Sequence, residues 1–370
     1  MHREIESATT PGELSNLYLK RGITLPDRIQ DNIHATLLES ATPIEYLRRI
    51  EFNGFQCPSG FNPMNPSMLK LEPTPWKDKT IHYIVNMRCV SYRITDSGAY
   101  ANLTDQIRFR TKNIVCLLDD NFSVIAQAEL QSYPRTTTRS RGVEGMEDVR
   151  ISTVEAINDN EILVHISWNS QDFDNYLYSQ LYKSTYTITL KDEMIITPGE
   201  YTLMLSPFLK TCEKNWICLP ETNDEFIYSW SPFIIVKYSD HLRIKSQYLY
   251  IAHLDRFRGS TNLLKITGSG TPLDDHYLTI VHEVSEKHHM RYYVHRFLLL
   301  NEEYKIVSLS NPFKLTDSRI EYTMAIVHNT PDTLIVAMGE MDSLAYLLEL
   351  DLNDINGMLR PSHLDWIQQV

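Results

Sequence analysis

The stretch EDVRISTVEAINDNEILVHISW, residues 147–168, decides how this chain folds. It opens on Glu147, Asp148 and Arg150, three charges close together, and ends in EILVHISW, a strand of β-branched and aromatic residues. The same order recurs along the chain: a polar residue and then, more than ten positions on, a strongly apolar strand. Asn65 precedes YIVNMRCV, Asn215 precedes FIYSWSPF, Ser260 precedes YLTIVHEV and Glu321 precedes TLIVAMGE. Five such units spread over about 300 residues predict a five-bladed β-propeller whose inner strands start polar near a central axis. Inner strands of that kind converge at one mouth, so Glu147, Asp148 and Arg150 are expected at its rim. Strand alternation sends neighbours to opposite faces, and Glu147 is therefore expected to point away from Asp148.

From Phe52 onward the rest of the chain agrees with an all-β fold. IHYIVNMRCVSYRI, NIVCLLDD, TYTITL and YYVHRFLLL are short apolar runs broken by turn residues, with helical periodicity nearly absent. The first fifty residues differ. Thr10-Pro11-Gly12-Glu13 and Thr42-Pro43-Ile44-Glu45 fit the capping box with proline at the first helical position. Between them Ile29, Ile33, Leu37 and Leu38 fall on one stripe. Residues 1–50 are expected to form a short helical N-terminal extension and residues 51–370 the propeller. The extension's stripes are expected to pack on the main body; the alternatives are a subunit contact, giving a homo-oligomer, or a lid over the site. The basic, Thr-rich stretch YPRTTTRSRGVEGM before Glu147 reads either as a lid or as an ordinary long loop.

A chain of 370 residues can bury a large core. Its 21 tyrosines suit a β-rich protein with polar ligands, since tyrosine is both a strand former and a flat amphipathic surface. A formal charge of −12 argues against nucleic acid or anionic lipid as the main partner. The five cysteines, at 57, 89, 116, 212 and 218, form no CxxC or Cys/His pattern. They read as reduced thiols in a cytoplasmic setting, and no metal is expected. MHREIESATTPGEL lacks the apolar region of a secretion signal, and no run is long enough to span a membrane.

Several polar residues stand where the pattern demands apolar ones. The plain reading of Asp148 is a turn carboxylate paired with Arg150. The other reading is a site carboxylate, which would need surroundings that raise its pKa in order to hold a proton. Arg88 interrupts YIVNMRCV, and a charge there requires either a buried carboxylate or a bound anion. Lys214 in CEKNW is a turn lysine or a second cation for that anion. His282, Glu283 and His295 break strands that otherwise read as core, as hydrogen-bonded core residues or as site groups. Trp216, directly after Asn215, is the aromatic expected to cover an apolar ligand face; Tyr228, Trp230, Tyr292 and Tyr293 are further candidates.

Taken in order, NPSM, MRCVSY, EDVRI, EKNW, FIYSWSPF, VHEV, YVHRF, IEY and GEMDSLA resemble the five-bladed propellers of glycoside hydrolase family 130. That group is related to β-mannoside phosphorylases and β-1,2-mannosyltransferases. The nearer likeness is to a branch often joined to glycosyltransferase modules, in which EKNW and YxHRF recur. It runs from about Asn62 to Leu352 and leaves the N-terminal extension uncovered. The resemblance implies that Asp148 drives departure of the leaving group, in phosphorylases through a sugar hydroxyl. It implies that Asn65, Arg88, Lys214 and His282, with His295, surround sugar and phosphate, and that Asp342 in GEMDSLA fixes sugar hydroxyls. Arg150, Asn215 and Glu321 fall with the sugar-binding set. The usual EDPR reads EDVR here.

The implied function is a carbohydrate-active enzyme that makes or breaks β-linked mannosides with inversion. It would use no cofactor and take inorganic phosphate or a sugar-nucleotide donor as co-substrate. Two other readings stand beside it: an inverting hydrolase with Glu321 or Glu283 as base, and a non-catalytic propeller that binds glycans or another protein through the same funnel.

Overall fold

The structure, a computed structural model, describes residues 40–361 and 367–369, apart from positions 46, 96, 105–107, 132–142, 159, 172–178, 207, 209–211, 231, 240–241, 251–256 and 288–289. The helices expected before residue 40 and most of the expected lid lie outside the described residues.

Strand after strand forms where the apolar period is two or the apolar run is continuous. Ser179–Leu190 shows the first case, burying Tyr182, Ser184, Tyr186, Ile188 and Leu190 in alternation. Thr333–Glu340 shows the second, with six consecutive residues buried. Continuous runs follow from position: such strands sit between two neighbouring sheets and are apolar on both faces.

Four sheets are antiparallel meanders in a propeller-like arrangement. The first holds Asn62–Trp76, Lys79–Val90, Thr111–Leu118 and Val124–Leu130 in that order. The second holds Glu147–Asn158, Glu161–Gln171, Ser179–Leu190 and Met194–Met204. The third runs from Ile217–Cys218 through Glu225–Trp230 and Phe233–Tyr238 to Leu242–Tyr250, with Ile367–Gln369 outermost. The last in the chain runs from Glu321–His328 through Thr333–Glu340 and Leu344–Asp351 to Arg48–Ile50. Before it comes a larger, branched sheet of eight strands, with Tyr277–Lys287 and Met290–Leu300 at its centre and Arg258–Gly259 beside them. A two-stranded ribbon, Tyr92–Ile94 with Tyr100–Asn102, is inserted within the first sheet's run of chain.

The core is made of apolar layers between sheets. Ile84 and Val115 meet Val149 and Val164 between the first and second sheets. Phe297 and Phe313 meet Val336 and Met338 between the branched sheet and the last. Val85 and Met87 meet Ile335 and Leu347 between the first and last. Each such side chain contributes about 1.5–3 kcal/mol by leaving water. Polar side chains complete the inner strands: Ser67 Oγ accepts from Ile151 N at 2.9 Å, and Asn262 Oδ1 accepts from Ile326 N at 2.9 Å.

The N-terminal segment differs from expectation. Thr42–Pro43 is a strand parallel to Phe313–Lys314, not the start of a helix. Thr42 N donates to Pro312 O at 3.2 Å and Ile44 N to Lys314 O at 3.0 Å, so pairing with distant chain overrides the local capping signal. Arg48–Ile50 then closes the last sheet against Leu347–Glu349. Ile44 and Leu47 pack on the main body as their apolar character required. Among the described residues no helix is long and apolar enough to cross a membrane.

Candidate functional site

Four polar residues of the motif set share one backbone peculiarity. Asn65, Asp148, Asn215 and Asp342 all have left-handed φ, at 44, 48, 64 and 51°. Asn and Asp tolerate that region better than other non-glycine residues, which explains the residue types at these turns and bulges. Two positions coincide with breaks in strand register, between Met64 and Ser67 and opposite the step from Ser167 to Asn169. A bulge breaks strict alternation. Glu147 and Asp148 therefore face the same side, contrary to the expectation that Glu147 would point elsewhere.

Both turn to Arg88. Its guanidinium is 3% exposed and donates from Nη1 to Asp148 Oδ1 at 2.7 Å and from Nη2 to Glu147 Oε2 at 3.2 Å. Nε donates to Thr111 Oγ1 at 3.1 Å and Nη2 also reaches Tyr92 OH at 3.2 Å. Arg88 is thus spent on the protein's own acids and hydroxyls, so the buried-carboxylate alternative holds for it. Asn65 Nδ2 donates to the same Asp148 Oδ1 at 2.9 Å. Asp148 does not pair with Arg150 as the plain reading had it.

Three carboxyls share this one guanidinium, and their protonation differs. Burial pushes Asp148 up, but Arg88 and the Asn65 hydrogen bond outweigh it and hold the group below the usual carboxylate range. Burial pushes Glu147 up, partly countered by Arg88 and reinforced by the charge of Asp148. Burial lifts Asp342 to about 6 against the pull of Arg88, with Asp148 and Glu147 adding repulsion. The raised pKa expected of Asp148 is found in its neighbours.

The other half of the mouth is aromatic and carries the cations Arg150, Lys214 and Arg258 around a neutral His282. Arg150 donates to the Ser260 carbonyl and, at 2.8 Å, to Tyr322 OH, which donates to Asn215 Oδ1 at 2.9 Å. Arg150 and Asn215, expected to touch sugar, are thereby tied into the joints between sheets. Ser260 Oγ and His282 Nδ1 share a hydrogen bond of 2.7 Å. The His282 ring stacks on Tyr293 at 5.1 Å and meets Tyr322 edge-on at 5.1 Å. Burial, then the nearby His295 and cations, holds His282 well below its usual range, so it is neutral. Lys214 is exposed and acts on Glu147, Asp342 and His282, which places it at the same mouth.

Four residues put forward for the site are elsewhere. Trp216 is 1% exposed, packs edge-on against Phe226 and Tyr228, and donates from Nε1 to Glu213 Oε2 at 3.2 Å. It is core, because the left-handed turn at Asn215 swings the next side chain inward. Glu321 is fully buried, accepting from Leu315 N at 2.9 Å and from Thr316 N and Oγ1, each at 2.7 Å; burial leads the shift of its pKa to about 7. His295 is equally sealed, 3.5 Å from Glu321, and burial brings it down to about 3. Glu283, 5% exposed, is taken by Arg296 Nε at 2.6 Å. Neither Glu321 nor Glu283 is placed to activate water in the funnel.

The sequence reading missed Tyr92, Tyr100, Arg258 and Tyr322. Tyr100 is 52% exposed on the ribbon, meets Tyr92 edge-on at 5.2 Å and feels Asp342. Arg258 lies opposite His282 in register. Its spacing of two from Ser260 was the available signal.

No family model matches the sequence, and no curated protein does. Solved structures do. A β-1,2-mannobiose phosphorylase from Listeria innocua, in complex with β-1,2-mannobiose, is 13% identical, with 84% of this chain and 98% of that chain covered at a TM-score of 0.50. A mannose phosphorylase from Leishmania mexicana, in complex with a phosphate ion, is 12% identical over 88% of this chain and 94% of that chain, TM-score 0.44. A GDP-Man-dependent mannosyltransferase from the same organism is 13% identical over 91% and 97%, TM-score 0.43. The first likeness shows a shared fold.

Proposed function

We propose that this chain is a carbohydrate-active enzyme that transfers β-linked mannosyl units with inversion, at the mouth framed by Asn65, Asp148, Lys214 and Asp342. The reading counts the branched sheet as a fifth blade. The observation that carries it is the meeting of Asn65, Arg88 and Asp148 from two sheets, with Glu147 and Asp342 acting on the same guanidinium. A fold shared with a phosphorylase of β-1,2-mannobiose suggests the substrate class.

In this reading Asp148, ionised and still 19% exposed, accepts a hydrogen bond from a sugar hydroxyl beside the scissile bond. Asp342, with a pKa near 6, and Glu147, also raised, carry the proton. Asp148 relays that proton through the sugar hydroxyl to the departing oxygen rather than storing it. The anion, phosphate or a nucleotide diphosphate, is assigned to Lys214 and Arg258 on the His282 side, since Arg88 is fully engaged. Tyr100 offers the exposed ring for a sugar face.

The test is to incubate the full chain with β-1,2-mannobiose and inorganic phosphate, and separately with GDP-mannose and mannose, reading products by mass. Mannose 1-phosphate from the first mixture, or a new mannoside from the second, is the expected result. Asp148→Asn should lower turnover by about 10²–10⁴-fold while sugar binding persists. Undiminished turnover in that variant removes Asp148 from the chemistry. Sugar binding without any product in the wild type makes the propeller a binding module instead.

A further inference from the structure

Cys57 is half-buried in the loop that leads into Asn62–Trp76, and Cys89 lies on Lys79–Val90 directly after Arg88, with 0% exposure. Their sulfurs are 3.7 Å apart in a thiol–thiol hydrogen bond, and Cys57 Sγ also donates to Phe61 O at 3.2 Å. A disulfide needs about 2 Å, so the two sulfurs must close by less than 2 Å. The loop carrying Cys57 turns at Gly54 and Gly60, both with positive φ, whereas Cys89 is fixed in the sheet. We propose that Cys57 and Cys89 form a peroxide-reactive dithiol: Cys57 is the thiol oxidised first and Cys89 resolves it to a disulfide.

The two thiols differ in the way this chemistry needs. The hydrogen bond with Cys89 holds Cys57 below its usual range more than burial raises it, while that bond and burial push Cys89 up. Cys57 is therefore the more readily ionised of the two thiols and also the one that solvent reaches. Its sulfur attacks one oxygen of hydrogen peroxide; an S–O bond forms as the O–O bond breaks, and the departing hydroxide takes up the proton that Cys57 gave up, leaving Cys57 sulfenic acid and one water. The Cys89 sulfur then attacks the Cys57 sulfur. An S–S bond forms as S–O breaks, and the hydroxide leaves with the Cys89 proton as a second water. Two thiols lose two electrons and the peroxide gains them. Cys116, buried near Cys89, and Cys212, exposed, have no thiol at hydrogen-bond distance among the described residues and serve as internal controls.

The experiment is titration of the folded full chain with hydrogen peroxide, followed by alkylation in denaturant and peptide mapping. The expected result is a mass lower by two hydrogens and a peptide joining Cys57 to Cys89. A thiol reductant should reverse both, and Cys57 should be lost about tenfold faster than Cys212. Cys89→Ser keeps a hydrogen-bond donor beside Cys57 and should stop the reaction at a dimedone-trappable sulfenic acid. Recovery of Cys57 and Cys89 as free thiols after Cys212 has been oxidised overturns the proposal. So does a bridge to Cys116, or a Cys57 that stays unlabelled in Cys89→Ser.

Discussion

At Arg88 a buried guanidinium faces Glu147 and Asp148 directly and Asp342 at longer range. Removing it leaves partly buried acids without their cation. Arg88→Ala is expected to cost about 3–5 kcal/mol of stability as well as turnover, measured by denaturant unfolding; a cost below about 1 kcal/mol would show that water replaces it without penalty. Asp342 gives a signed pH effect. Its pKa is about 6 in the folded protein against an ordinary 3.8, so the folded state binds the proton more tightly than the unfolded chain. The stability it contributes is full in acid and is lost as pH rises from about 3.8 through about 6. Asp342→Asn should abolish that decline and raise stability at pH 7 by on the order of 1 kcal/mol. The difference between the two proteins' curves isolates Asp342 from Glu321 and His295, which titrate in both. In the wild type, turnover should also fall as pH rises through about 6, if Asp342 stores the proton. A flat difference curve removes that role.

At the scale of the strand, site geometry depends on bulges and on close backbone approach. Gly339, near the end of Thr333–Glu340, lies against Asn65: a Cβ there would meet Asn65 Oδ1 and come within 2.6 Å of its backbone nitrogen. Gly339→Ala should displace Asn65 and so loosen its bond to Asp148, costing about 1–3 kcal/mol and lowering turnover. Turnover at the wild-type level would mean that Asn65 does not position Asp148. The left-handed φ of Asp148 also dictates its substitution, because Asn tolerates that conformation and Ala does not.

Across the whole molecule, the chain's early segment holds its last sheet. Arg48 Nη1 reaches Glu349 Oε2 at 3.0 Å, and the Arg49 guanidinium lies 3.8 Å over the Tyr346 ring. The exposed ion pair adds little; the strand pairing matters more, since without it Leu344–Asp351 becomes an open edge. A chain starting at Glu51 should melt roughly 4 °C or more below one starting at Ser40 and self-associate with concentration. Scanning calorimetry and sedimentation check this, and identical behaviour of the two chains would deny the closing strand its role.

The apolar strands, the polar residues that begin the inner ones and the all-β class were legible in the sequence alone. They depend on local alternation and on runs that only a strand buried on both faces requires. The residue types at 65, 148, 215 and 342 were legible too, though not their shared left-handed backbone. Tertiary structure alone decided that Glu147 joins Asp148 at Arg88, that Trp216 turns into the core, that Glu321 and His295 are sealed, and that Thr42–Pro43 is a strand. A one-residue bulge reverses which side chains face the mouth, and a strand pairing spans hundreds of positions. Neither leaves a mark in any short window of sequence, because each is set by groups that meet only once the chain is folded.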